Sequence, residues 1–253
     1  MTNLALAIAL INGKAVMIIN AGAEHCLSFI NSQLQAADKS GITVRKNVRR
    51  AVTISRQAGC GALVVAEKLA RYLEKQTPEN NCPWTVFDRN LMEKVLEDHN
   101  LPTRLARLMP EDRVSQIEDI LADVFEVHPP AQTIIRQTTE TILKLAGLGS
   151  VILIGRGSTM ITAGLPCVLH VRLVAPLEQR IQHACEFYPD FNKTEDQARK
   201  FCLNEDRGRE RYLKKYFNTD INDPLLYHLV INTGRVSYDD AAKLIGDAVL
   251  NLQ

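Results

Sequence analysis

The period of the apolar positions changes near residue 50. Downstream, short unbroken apolar runs alternate with longer stretches in which apolar residues return every three or four positions. The run AVTIS (51–55) has the length and continuity of a strand buried on both faces. After it, Leu63, Ala66, Leu69, Ala70 and Leu73 recur at helical spacing, with Glu67, Lys68, Arg71 and Glu74 on the other side. The same reading places strands at WTVFD (84–88), SVILIG (150–155), CVLHVRLV (167–174) and HLVINT (228–233). Helical periodicity covers about 91–99, 113–127, 131–145, 177–186, 195–216 and 238–251, and the prolines of LMPED and HPP separate the middle helices. Strands separated by helices predict an α/β fold with a five-stranded parallel sheet covered on both faces. Ligands of such sheets bind beyond the carboxyl ends of the strands. Ser55 to Gly61, Asp88 and Gly155 to Gly157 all fall there, which points to one site.

Upstream the pattern differs. LALAIALINGKAVMIINAGA is apolar but interrupted by Asn12, Lys14 and Asn20, against a membrane span. No basic residue precedes it, so a secretory signal is a poor fit as well. Asn12-Gly13 between two apolar runs predicts a hairpin, since both residues tolerate the positive φ of a tight turn. A helix over about 24–37, a polar DKSG turn and the basic connector VRKNVRR (44–50) follow. The expected division is an N-terminal extension, 1–47, and an α/β domain, 48–253, the extension being a candidate for partner binding or self-association.

Composition narrows the classes. A chain of 253 residues buries a large core, and a formal charge of +1 gives no global attraction to nucleic acid or an anionic membrane. Neither is expected as a partner. The six cysteines form no C-x-x-C pair and the six histidines no H-E-x-x-H, so reduced thiols, a cytoplasmic location and no metal held by protein ligands alone are expected.

Three stretches carry candidate chemistry. SRQAGCGA (55–62) joins the first strand to the first helix, where glycines let consecutive N–H groups face a phosphate and the helix N-terminus adds a favourable dipole. The same glycines serve equally for a tight turn, and Ala62 and Leu63 stand where a phosphate loop normally carries a lysine and a hydroxyl. GRGST (155–159) sets Arg156 between two glycines at a strand end, with a planar fork suited to phosphate; the alternative is a surface loop. NEDRGRERYLKK (204–215) is either a solvated charged helix or a lid whose arginines close over transferring phosphates.

Together with VFDRNLMEKV, VILIGRGSTMI, VLHVRLVAPLEQRI and LLYHLVINTGRVSYDDAAKLI, these stretches occur in an order that resembles the cytidylate kinase-like family, a branch of the P-loop nucleoside monophosphate kinases. The resemblance runs from about residue 50 to the end. It implies a three-layer α/β/α P-loop NTPase fold and transfer of the ATP γ-phosphoryl group to a nucleoside monophosphate, CMP or dCMP preferred, with Mg²⁺ held mainly through substrate phosphates. By this resemblance Arg56, Gly59, Cys60, Gly61 and Ala62 bind the donor; Asp88, Arg156 and Arg180 bind the acceptor; and Arg56, Arg156, Asp206 and Arg209 are catalytic. Asn232 would lie near the base or donor. The kinase-like branch tends to replace the loop lysine with glycine, and ALVV (62–65) goes further. Arg56 is then the available cation, Lys68 lying nearly two turns beyond Gly61. Two other readings stay open: a catalytically weak nucleotide-binding regulatory protein, and a P-loop kinase acting on some other small acceptor.

Overall fold

The computed structural model describes residues 50–77, 83–88, 105, 109, 111–127, 133–187 and 194–252. The expected hairpin, the helix at 24–37, the division near residue 47 and the helix at 91–99 lie outside them.

All five expected strands are present: β1 (Ala51–Arg56), β2 (Thr85–Phe87), β3 (Val151–Ile154), β4 (Val168–Val174) and β5 (Leu229–Asn232). They pair in parallel in the order β2-β3-β1-β4-β5. The helices are α1 (Ala62–Gln76), α2 (Glu111–Val127), α3 (Thr133–Leu148), the short α4 (Ser158–Ile161), α5 (Leu177–Phe187), α6 (Glu195–Phe217) and α7 (Tyr238–Leu250). The chain runs from β1 to an edge at β2, returns through β3 beside β1, and continues on the far side with β4. The strand order therefore reverses at β1, which opens a crevice at its carboxyl end.

The central strands β1, β3 and β4 are buried on both sides, hence their apolar runs, while the edge strand β5 leaves Val230 exposed. One face packs Val52, Ile54, Ile152, Ile154, Leu169 and Val171 against α1 and α7. The other packs Ala51, Val151, Leu153 and Val168 against residues of α2, α3 and α6, among them Ile117, Leu143 and Leu213. Toward the carboxyl ends this second face turns polar. Along β1 it reads Ala51, Thr53, Ser55, and along β4 Val168, His170, Arg172; the register sets Thr53 opposite His170 and Ser55 opposite Arg172.

One local reading is corrected, and one short helix, α4, was not expected. In α1 the buried side is Val65, Ala66, Leu69, Ala70 and Leu73, while Leu63 is exposed. Leu63 and Val65 lie on opposite flanks of the stripe set by Ala66, Leu69, Ala70 and Leu73, and the flank covered by the core shared with the sheet and α7 is that of Val65. The short helix α4 has too few residues to show a period. Elsewhere the boundaries shift slightly: α3 continues to Leu148, where Gly149 takes a positive φ, and α6 is one helix of 23 residues, started by Thr194, whose side chain accepts from the Gln197 N–H.

Candidate functional site

The loop after β1 is folded as a left-handed turn. Gly59 and Gly61 have φ of 80° and 76°, a region that side-chain-bearing residues avoid. Space is restricted too. A methyl group on Gly59 would collide with the Arg180 carbonyl oxygen, and one on Gly61 with the Tyr238 ring. Ala58, Cys60 and Ala62 are buried. Burial pushes the Cys60 thiol up to about 11, against the pull of Arg56, Arg209 and Arg180, so it stays protonated.

A carboxylate already sits on this loop. Asp206 in α6 accepts from the Ala58 N–H at 2.7 Å, from Arg180 Nη1 at 2.6 Å and from Arg209 Nη1 at 3.1 Å. Arg180 also donates Nε to the Ala175 carbonyl and Nη1 to the Ala58 carbonyl. The buried Arg180–Asp206 pair thus ties loop, α5 and α6 together. Arg209 is shared with Glu205 at 3.0 Å.

Next to this knot, at the carboxyl ends of β1 and β3, lies a cavity of about 260 Å³. Its lining includes Ser55 and Arg56 from β1, Arg156 from the β3–α4 turn, Thr159 from α4, Arg209 and Tyr212 from α6, and Tyr227 before β5. Three arginines face one glutamate, Glu205, across a small volume, which suits a multiply charged anion. Gly155, Arg156 and Gly157 all have positive φ, of 83°, 55° and 72°. A left-handed arginine costs about 1 kcal/mol or more, and such strain concentrates at functional sites. Burial raises the Tyr212 phenol above its usual range, so it remains a donor beside Arg156.

The expected residues therefore separate into groups. Arg56, Arg156 and Arg209 line the cavity. Gly59, Cys60, Gly61 and Ala62 form the buried loop beside it, held by Asp206 and Arg180. Asp88 follows β2 at the sheet edge and is not part of the lining. Asn232 Oδ1 accepts from the Gly234 N–H and shapes the turn after β5. Lys68 pairs with Asp239 at 2.7 Å on α7.

Sequence reasoning missed a second polar layer. Thr53 Oγ1 lies 2.8 Å from His170 Nδ1 and 3.2 Å from Thr159 Oγ1, while Arg172 Nη1 donates to Ser55 Oγ at 2.9 Å. Burial pushes His170 down to about 4, with His228 adding to the effect. The available signal was His170 and Arg172 at alternate positions of a strand otherwise apolar on both faces.

Comparison with known proteins adds the following. The model of the cytidylate kinase-like family matches residues 51–235. A uronate isomerase of Corynebacterium glutamicum is 31% identical over 110 residues, 44% of this chain; the chain spans 20% of that relative's length. An uncharacterized protein from Eubacterium ventriosum, 19% identical, superposes with a TM-score of 0.59 over 79% of this chain and 98% of that one, a likeness of fold. A shikimate kinase from Bacteroides thetaiotaomicron gives 9% identity and a TM-score of 0.43 over 79% of this chain and 98% of its own. Among the described residues no helix is long and apolar enough to cross a membrane.

Proposed function

The chain belongs to the cytidylate kinase-like family, and on that premise we propose that it moves the γ-phosphoryl group of ATP to a nucleoside monophosphate, with CMP or dCMP preferred. The observation that carries this reading is the convergence of Arg56, Arg156 and Arg209, from three distant segments, on one cavity beside the glycine loop. Such a site works by positioning and charge neutralisation, with little covalent chemistry for the protein to do. Arg156 holds the acceptor phosphate, Arg56 supplies the charge of the missing loop lysine, and Arg209 stabilises the group in flight. Arg180 and Asp206 set the loop against α6. Asp88 contributes to the acceptor side.

One observation supports a nucleoside triphosphate as donor: the Ala58 N–H already binds an anionic oxygen, that of Asp206. We propose that the carboxylate yields this N–H when the donor enters. Magnesium has no protein-only cage, since no group of three His, Cys, Asp or Glu suited to a metal occurs among the described residues. Glu205 and Asp206 are taken by arginines. The ion would be held chiefly by substrate phosphates.

The test is ADP release from MgATP with CMP, dCMP, UMP, AMP and GMP, in wild type, Arg56→Ala and Arg156→Ala. Acceptor-dependent turnover that falls by roughly a hundredfold or more in both variants is the expected result. A second reading, a nucleotide-binding regulatory protein, is favoured by the closure of Ala58 on Asp206 and by Ala62 in the lysine's place. MgATP binding without acceptor-dependent ADP release would replace the first reading with the second.

A further inference from the structure

Among the described residues two arginines are buried to the same depth, Arg172 and Arg180, each 5% exposed. Arg180 has the Asp206 carboxylate at 2.6 Å. Arg172 has no carboxylate within ion-pair distance among the described residues. Its partners are neutral: Nη1 donates to Ser55 Oγ and Nη2 to Asn222 Oδ1, both at 2.9 Å, and the guanidinium lies 5.7 Å from the centroid of the Tyr227 ring. Glu210 stands one step further off, accepting from Asn222 Nδ2 at 3.5 Å.

A buried charge is retained at a cost unless something pairs with it. Two of the three groups that Arg172 touches, Ser55 and Tyr227, line the arginine-rich cavity. We propose that the anion bound in that cavity is the counter-charge of Arg172, and that Ser55 is its direct donor. The proton inventory supports this. The Tyr227 hydroxyl donates toward both the Ile221 carbonyl at 2.9 Å and Ser55 Oγ at 3.2 Å. Ser55 Oγ also accepts from Arg172 at 2.9 Å, so its oxygen receives two donors. The Ser55 proton is therefore available to an oxygen in the cavity, and the hydroxyl that carries it is polarised by the guanidinium behind it. Arg172 is a positioning residue acting through Ser55; the ligand class is a phosphate monoester. This rests on the acceptor reading of the cavity.

The experiment measures binding of CMP and of inorganic phosphate by calorimetry, with acceptor KM and kcat, in wild type, Ser55→Ala, Arg172→Met and Arg172→Lys. Ser55→Ala and Arg172→Met should each weaken both ligands, and raise acceptor KM, by about tenfold or more, with kcat and the KM for ATP within about threefold. Arg172→Lys, which keeps the charge, should recover most of the affinity. Arg172→Met should also melt at or above the wild-type temperature, because an apolar side chain of similar volume removes an unpaired buried charge. Affinities unchanged within about twofold in Ser55→Ala and Arg172→Met would overturn the inference. So would a Met variant that loses binding and melts lower while Lys fails to rescue it. Arg156→Ala, run alongside, separates the two levels. If it weakens binding while Ser55→Ala and Arg172→Met do not, only this inference falls. If it too has no effect, the acceptor reading of the cavity falls with it.

Discussion

Asp206 offers the sharpest test of how the loop is held. Replacing it with alanine removes three contacts at once: the Ala58 N–H at 2.7 Å, Arg180 Nη1 at 2.6 Å and Arg209 Nη1 at 3.1 Å. Arg209 keeps Glu205 and is half-buried, so its share is small. Arg180 is different, because its side chain is 6% exposed and it keeps two carbonyl acceptors but no counter-charge. Breaking a buried pair by removing one partner costs roughly 3–5 kcal/mol. The remaining carbonyl bonds place this case at the lower end, so Asp206→Ala should lose about 3 kcal/mol, and Asp206→Asn about half of that, since its amide oxygen still accepts from Ala58. With a urea slope of about 3 kcal/mol/M for a chain of this size, the alanine midpoint should fall by about 1 M. Hydrogen exchange supplies the local readout: the Ala58 amide should lose protection in the alanine variant and keep most of it in the asparagine variant. Combining Asp206→Ala with Arg180→Met should recover part of the loss, because the stranded charge is gone. A loss under about 1 kcal/mol, or an Ala58 amide that stays protected, would refute the claim that this carboxylate holds the loop.

Three further outcomes follow from the same geometry. Gly155→Ala puts a methyl on Arg56 Nη1 at a φ of 83°; it should cost about 1–2 kcal/mol by chemical denaturation and displace Arg56, so that its turnover defect resembles that of Arg56→Ala, and a variant with wild-type turnover would show that Arg56 does not need its place against Gly155. His170 is held neutral down to about 4, from a usual 6.5. The unfolded chain takes up the proton first as pH falls, so stability is full above about 6.5 and declines toward 4, by roughly 3 kcal/mol; urea unfolding at several pH values should show this slope flattened in His170→Gln, and an unchanged slope would refute it. Cys60, pushed up to about 11 and buried, should resist iodoacetamide in native protein at about pH 8 while the half-buried Cys185 reacts; peptide mapping that finds Cys60 modified first would contradict the closed loop.

The strands were legible because a sheet covered on both faces leaves no polar interruption, and AVTIS and SVILIG carry that signature within a residue of their ends. The flank of α1 that is covered was not legible: Leu63 and Val65 lie on opposite sides of the stripe set by Ala66, Leu69, Ala70 and Leu73, and which of them is buried depends on what the helix packs against. In the site, Arg156 stood out because glycines flank it, and Arg209 because α6 repeats charges at helical spacing. Thr53, His170 and Arg172 did not, and Ser55 was read only as the first residue of the strand-end loop, because their meaning lies in the pairing of β1 with β4, a register over more than a hundred residues of intervening chain. Two polar residues at alternate positions of VLHVRLV mark a polar stripe on a buried strand, yet nothing in the strand says what the stripe faces.

Arg172 and Arg180 show where reading the chain alone stops. They are the same residue, eight positions apart, equally buried, and both next to the glycine loop's end of the sheet. What separates them is the counter-charge. Arg180 meets Asp206, its charge is spent inside the protein, and it behaves as a strut between loop and helix. Among the described residues Arg172 meets only a hydroxyl, an amide and an aromatic face, and its charge is left to act on the cavity through Ser55. The pairing that decides between strut and ligand site is made by α6, which delivers Asp206 to one arginine and not to the other. A buried arginine in such a sheet is therefore assigned by asking which anion reaches it, and where no side chain does, the cavity it backs is the place to look for one.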